Sequence, residues 1–203
     1  MNLPLIELKI DEHADRFVSA IALVENPAIE SDFIAFSQVE YFAANDEKQE
    51  LLGAAMIPDK PIYRKGDNGD FYAVFSKDTI RQISQVFAQK GFFNNTNIEH
   101  TLIPADSFVY QSYLVDGAKG INAPKGINAP DGTWIVGLKV NNPSVWKNIK
   151  AGNIKGFSVE GVFNLFPTDK TSDGKTDVPD QELTKVLAEF NTVLERVNKQ
   201  KAY

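Results

Sequence analysis

Few side chains in this sequence can do chemistry. It has no cysteine and only two histidines, His13 and His100. That excludes disulfides, thiolate zinc sites and cysteine nucleophiles, and it leaves no histidine set to hold a metal. No D-x-D-x-D-G loop occurs, so a carboxylate metal site has no motif behind it. Any histidine-dependent reaction must run through His13 or His100. His13 stands in the charged segment KIDEHADRF and reads as a solvated turn residue. His100 stands in NIEHTLI, which reads as a strand. The nucleophile to match it is Ser158, in NIKGFSVEGVF, Asn153 to Phe163. Its pattern is Gly156-x-Ser158-x-x-Gly161, which is not the G-x-S-x-G of a strand-to-helix nucleophile elbow. Taken alone, such a serine is a small strand residue. The flanking glycines let the backbone bend, or come close to a substrate or an oxyanion.

A serine–histidine pair needs a third group to orient the imidazole. After His100 come Pro104-Ala105-Asp106 and then SFVYQSYLV, a second strand pattern. A hairpin turning at Pro104 to Ser107 would set His100 opposite Gln111, with cross-strand Cβ atoms about 5 Å apart. Gln111 would then fix one imidazole nitrogen so that the other takes the serine proton. Glu160, two residues after Ser158, shares its face in a regular strand and is the better acidic candidate. Asp116 is a further carboxylate, and Glu99, adjacent to His100, should point to the opposite face of an extended strand.

Most of the remaining chain reads as strands that would carry these residues. LIELKI (Leu5 to Ile10) alternates, and FVSAIALV (Phe17 to Val24) is an apolar run closed by Asn26-Pro27. ELLGAAMI and DFYAVF flank PDKPIYRKGDNG, which suits a loop. TWIVGLKV (Thr133 to Val140) is a further strand, and the Ser158 stretch, running on to Phe166, is the last. Three helices are predicted. One is capped by Ser76 and ends at Gly91, with Ile80, Ile83 and Phe87 on one face. A short one has Pro143 at its first position and stops near Gly152. The third follows a polar linker and carries a stripe from Leu183 to Val197, which either docks on its own domain or self-associates. The direct repeat KGINAPKGINAP, Lys119 to Pro130, reads as a loop insertion between strands.

The 203 residues suffice for one domain with a core and an appendage. The expected division is a β-domain over 1–167, a linker over 168–178 and an amphipathic helix over 179–203. A net charge of −6 with no basic stripe argues against nucleic acid as a partner. No apolar run is long enough to cross a membrane, and the N-terminal stretch lacks the pattern of a signal peptide.

Taken in order, these segments resemble the phage prohead (procapsid) maturation proteases, serine proteases related in fold to the herpesvirus assembly protease. The resemblance runs through NIEHTL, VYQSYLVD, GTWIVGLKV, PSVWKNIKAGNI and GFSVEG, and covers Phe71 to Phe163. The segment AIALVENPAIESDFIAF also looks like the leading segment of some members. The resemblance implies an α+β fold, mostly antiparallel, with a small barrel-like β-domain flanked by helices. It implies Ser158 as nucleophile and His100 as general base. Related sequences often carry an acid where this chain has Gln111, so the third member is Gln111 or Glu160. The implied substrates and partners are capsid and scaffold proteins, and the chain itself, within a procapsid in the host cytoplasm. A homo-oligomer is compatible with the C-terminal stripe, and no cofactor is implied. The rival expectation is an inactive structural or scaffold protein of the head that keeps the same fold.

Overall fold

The computed structural model describes residues 3–26, 34–35, 48–65 and 69–171. The strand patterns become β1 (Pro4–Lys9), β2 (Val18–Val24), β3 (Ile34–Ala35), β4 (Glu50–Met56), β5 (Ile62–Arg64) and β6 (Phe71–Val74). They continue as β7 (Thr96–Ile98), β8 (Ser107–Leu114), β9 (Trp134–Val140), β10 (Gly156–Gly161) and β11 (Asn164–Thr171). The helices are α1 (Lys77–Gln89) and α2 (Pro143–Lys150). The expected C-terminal helix and residues 172–178 of the expected linker lie outside the described residues. Thr168–Thr171, the start of that linker, belong to β11.

The chain divides into two compact units that interleave in sequence. One takes the described parts of residues 1–8, 61–74 and 165–203. Its sheet has the order β11-β1-β6-β5. β1 runs parallel to β6, and β5 runs antiparallel to β6. Ile6, Ala73 and Ile62 lie in register across it and are all buried. The Thr168 hydroxyl donates to the Leu5 carbonyl at 2.7 Å and ties β11 to β1. β5 lies inside the stretch expected as a loop. At three residues it is too short to show an alternation.

The second unit, residues 9–60 and 75–164, holds every candidate site residue. It contains a sheet of order β10-β2-β7 and another of order β3-β4-β9-β8. β2 is the middle strand of the first and is buried along most of its length. Strands covered on both faces read as apolar runs, which explains its composition. α1 forms as expected: the Ser76 hydroxyl accepts from Thr79 N at 3.3 Å, and Gly91 turns left-handed just past its end. Its Ile80, Ile83 and Phe87 are fully buried, and the Phe87 ring meets Trp134 edge-on at 5.2 Å. α2 has Pro143 in its first turn and Asn142 capping it, with Trp146 and Ile149 turned inward. The KGINAP repeat lies in the connection between β8 and β9. Among the described residues no sheet closes on itself.

Candidate active site

β10 carries Ser158 at its centre, paired antiparallel with β2 so that Ser158 faces Ala22. β7 pairs with the other edge of β2 in parallel, and Asn97 faces Ala22 from that side. Residues directly opposite one another share a face of the sheet. Ser158, Ala22 and Asn97 therefore form one row across three strands. Glu160 lies two residues along β10 on that same face, opposite Ala20. The face is covered at Ser158, which is 9% exposed, and open at Glu160.

Gly161 explains why this strand needs a glycine. A Cβ there would lie 2.6 Å from the Phe17 carbonyl oxygen and 2.9 Å from Val18 Cα. Both are backbone atoms, so the approach cannot relax by a side-chain movement. The register shifts between Glu160 and Gly161. The extra residue is Ser19, between Ala20 and Val18, so β2 is the strand that bulges opposite Glu160 and Gly161.

His100 does not sit on a strand. The strand expected over NIEHTLI stops at Ile98, and Glu99 and His100 follow with φ of 52° and 55°. Thr101 N donates to the Ile98 carbonyl at 3.0 Å, which closes a turn with both central residues left-handed. The Thr101 hydroxyl donates to the same carbonyl at 2.6 Å and accepts from Ile103 N at 3.2 Å. Ile98 N then donates to the Ile103 carbonyl, and Ala105 N to that of Thr96. The chain thus returns at Glu99 to Leu102, before the turn expected at Pro104. Glu99 does not extend away from His100 along a strand. Its carboxylate accepts from Glu25 N at 2.6 Å and holds the turn against the end of β2.

This early return breaks the expected pairing of His100 with Gln111. β8 pairs with β9, and Gln111 faces Gly137 in the other sheet, exposed to solvent. Gly137 is small because Gln111 and Tyr110 crowd it; a Cβ there would lie 3.0 Å from Gln111 Cβ. No hydrogen bond joins Gln111 to His100 among the described residues, and no strand pairing sets them opposite each other. Asp116 pairs with Lys119, and that hydrogen bond holds its carboxyl below the usual carboxylate range. His13 is exposed in a short turn whose backbone Asp11 caps.

The partner His100 does find is Glu160. His100 Nδ1 lies 3.6 Å from Glu160 Oε2, just outside hydrogen-bond reach, and the two side chains are 42% and 46% exposed. At that exposure the pair adds little to the stability of the fold. With Nδ1 turned to a carboxylate, Nε2 is the nitrogen left to exchange a proton. The Ser158 hydroxyl makes no hydrogen bond to His100 among the described residues. The residue that sequence reasoning missed is Asn97, whose Nδ2 donates to the same Glu160 oxygen at 2.8 Å. Its one signal was an amide inside a strand pattern, where asparagine is uncommon.

These residues fall within a single family match. A family model described as "Putative phage serine protease XkdF" matches residues 38–166, well over half of the chain. The chain belongs to this family. The match to the XkdF-type phage serine proteases spans His100, Gln111, Ser158 and Glu160 together with the elements from β4 to β10. No curated protein and no solved structure matches the chain. Among the described residues there is no cluster of three or more metal-ligating side chains, and no helix is long and apolar enough to cross a membrane.

Proposed function

We propose that this chain is a serine endopeptidase of the phage head, with Ser158 as nucleophile, His100 as general base and Glu160 as the group that orients the imidazole. The supporting observation is the approach of His100 Nδ1 to Glu160 on the strand that carries Ser158, in a chain of a phage serine protease family. Ser158 Oγ attacks the scissile carbonyl carbon while His100 Nε2 takes its proton. The imidazolium then protonates the leaving amine as the C–N bond breaks, leaving an acyl-serine ester. Water attacks that ester, gives its proton to the same imidazole, and releases Ser158. The absence of a Ser158–His100 hydrogen bond among the described residues is compatible with this reading, because catalytic hydrogen bonds of unliganded sites are often looser than those with substrate bound.

The substrates in this reading are capsid and scaffold proteins, and the chain itself, inside a procapsid assembling in the host cytoplasm. The reading carries with it a barrel-like β-domain of the herpesvirus-protease kind and a chain that works as an oligomer within the head.

Co-expression with the phage's capsid protein tests the proposal. Wild type should trim the capsid protein, and Ser158→Ala should leave it full length. Equal trimming by both excludes Ser158 as the nucleophile. Trimming by neither favours an inactive head protein of the same fold, a reading supported by the absence of a Ser158–His100 hydrogen bond among the described residues.

A further inference from the structure

Asn97 makes a contact that the three-residue site does not require. It lies on β7, two strands away from Ser158, and reaches Glu160 across the β2 positions Ala20 and Ala22. Both are alanines, and a larger residue at either would stand between the amide and the carboxylate. The backbone of Asn97 is fixed on both sides, by β2 and by an antiparallel bridge to Pro104. Its Nδ2 donates to Glu160 Oε2, the oxygen that faces His100 Nδ1. The reverse amide orientation would set two acceptors against each other, so the donor must face the carboxylate. The other end of the amide is left without a partner: Asn97 Oδ1 is buried and unbonded among the described residues.

We infer that Asn97 is the positioning residue of this site: its amide fixes the Glu160 carboxylate, and through it the ring of His100. The inference rests on the serine-protease reading above. Glu160 is half exposed on an edge strand and would otherwise sample several rotamers. Held by Asn97 from one side, it keeps a single oxygen aimed at Nδ1. Asn97 touches neither substrate nor Ser158 in this scheme, so its effect is transmitted through Glu160 alone.

The test reads how readily Ser158 reacts, using an alkyl fluorophosphonate on the full chain. Ser158 Oγ forms the phosphorus–oxygen bond, fluoride leaves, and the serine proton passes to His100. Labelling rates are measured across pH for wild type, Ser158→Ala, Asn97→Ala, Asn97→Asp, Glu160→Ala and the Asn97→Ala/Glu160→Ala double variant. Asn97→Asp keeps the size of the side chain and guards against a packing defect, and melting temperatures report folding. Asn97→Ala should slow labelling roughly tenfold and shift its pH profile as Glu160→Ala does, and in the Glu160→Ala background it should have no further effect. Asn97→Asp should slow labelling at least as much, because it sets a carboxylate against Glu160. Wild-type rates and pH profiles in both Asn97 variants would overturn the inference. So would an equal loss from Asn97→Ala with and without Glu160, which would mark a merely structural residue. Labelling that survives Ser158→Ala, or a wild type that does not label, overturns the serine-protease reading and the inference with it.

Discussion

His100 is held at a φ of 55°, next to Glu99 at 52°. For a residue with a Cβ this conformation costs roughly 1–2 kcal/mol. Glu99 carries more of this cost than His100, because histidine, like asparagine and aspartate, is enriched in the left-handed region. Asparagine tolerates the left-handed region and valine does not. His100→Asn should therefore unfold within about 0.5 kcal/mol of wild type while losing fluorophosphonate labelling, whereas His100→Val should lose about 1–2 kcal/mol in urea unfolding. Gly161 gives a second test at this scale. The Phe17 backbone cannot retreat from a new Cβ, because the Phe17 ring stacks on Phe92 at 5.7 Å and its carbonyl accepts from Val162 N. Gly161→Ala should lower stability by about 1–3 kcal/mol, read from the urea midpoint at constant slope. The shared face of Ser158 and Glu160 was legible in the sequence, since a strand's period of two needs only local information. The turn at His100 was not. It lacks the Gly, Asn or Asp that announces a left-handed turn, and the hydroxyl of Thr101 closes it instead.

At the scale of elements, the strands and helices announced themselves, but their partners did not. Eight strand patterns and both described helices were readable from alternation, apolar runs and caps, while β5 was read as a loop. The pairing of β8 depends on where the preceding turn falls, and moving that turn by a few residues sends Gln111 to a different sheet. Gln111→Ala should accordingly change fluorophosphonate labelling by less than about twofold, while Glu160→Gln should slow it at least tenfold. A large loss from Gln111→Ala would restore the hairpin expectation. The cap of α1 should behave as a stability element only. Ser76 holds the N-terminus of a helix whose inner face fills the core, so Ser76→Ala should cost about 1 kcal/mol and leave labelling unchanged.

For the molecule as a whole, one division into domain, linker and tail read naturally from the sequence, yet the described residues fall into two interleaved units. The interleaving was not legible because it rests on the pairing of β1 with β6, strands far apart in the chain, and of β1 with β11. Such non-local contacts leave no periodic trace. They make a prediction about where function resides. Every strand of the candidate site, β2, β7 and β10, belongs to the unit of residues 9–60 and 75–164. β11 is an edge strand of the other unit's sheet, and its removal would bare the hydrogen-bonding edge of β1. A chain ending at Thr171 keeps the eleven strands found among the described residues and should label with fluorophosphonate at the full-length rate. A chain ending at Phe163 should show faster hydrogen exchange at the amides of β1 and β6 while those of β2 keep their protection. Loss of protection in β2 on the same truncation would mean that the two units unfold as one, and that the site depends on the sheet that closes the chain.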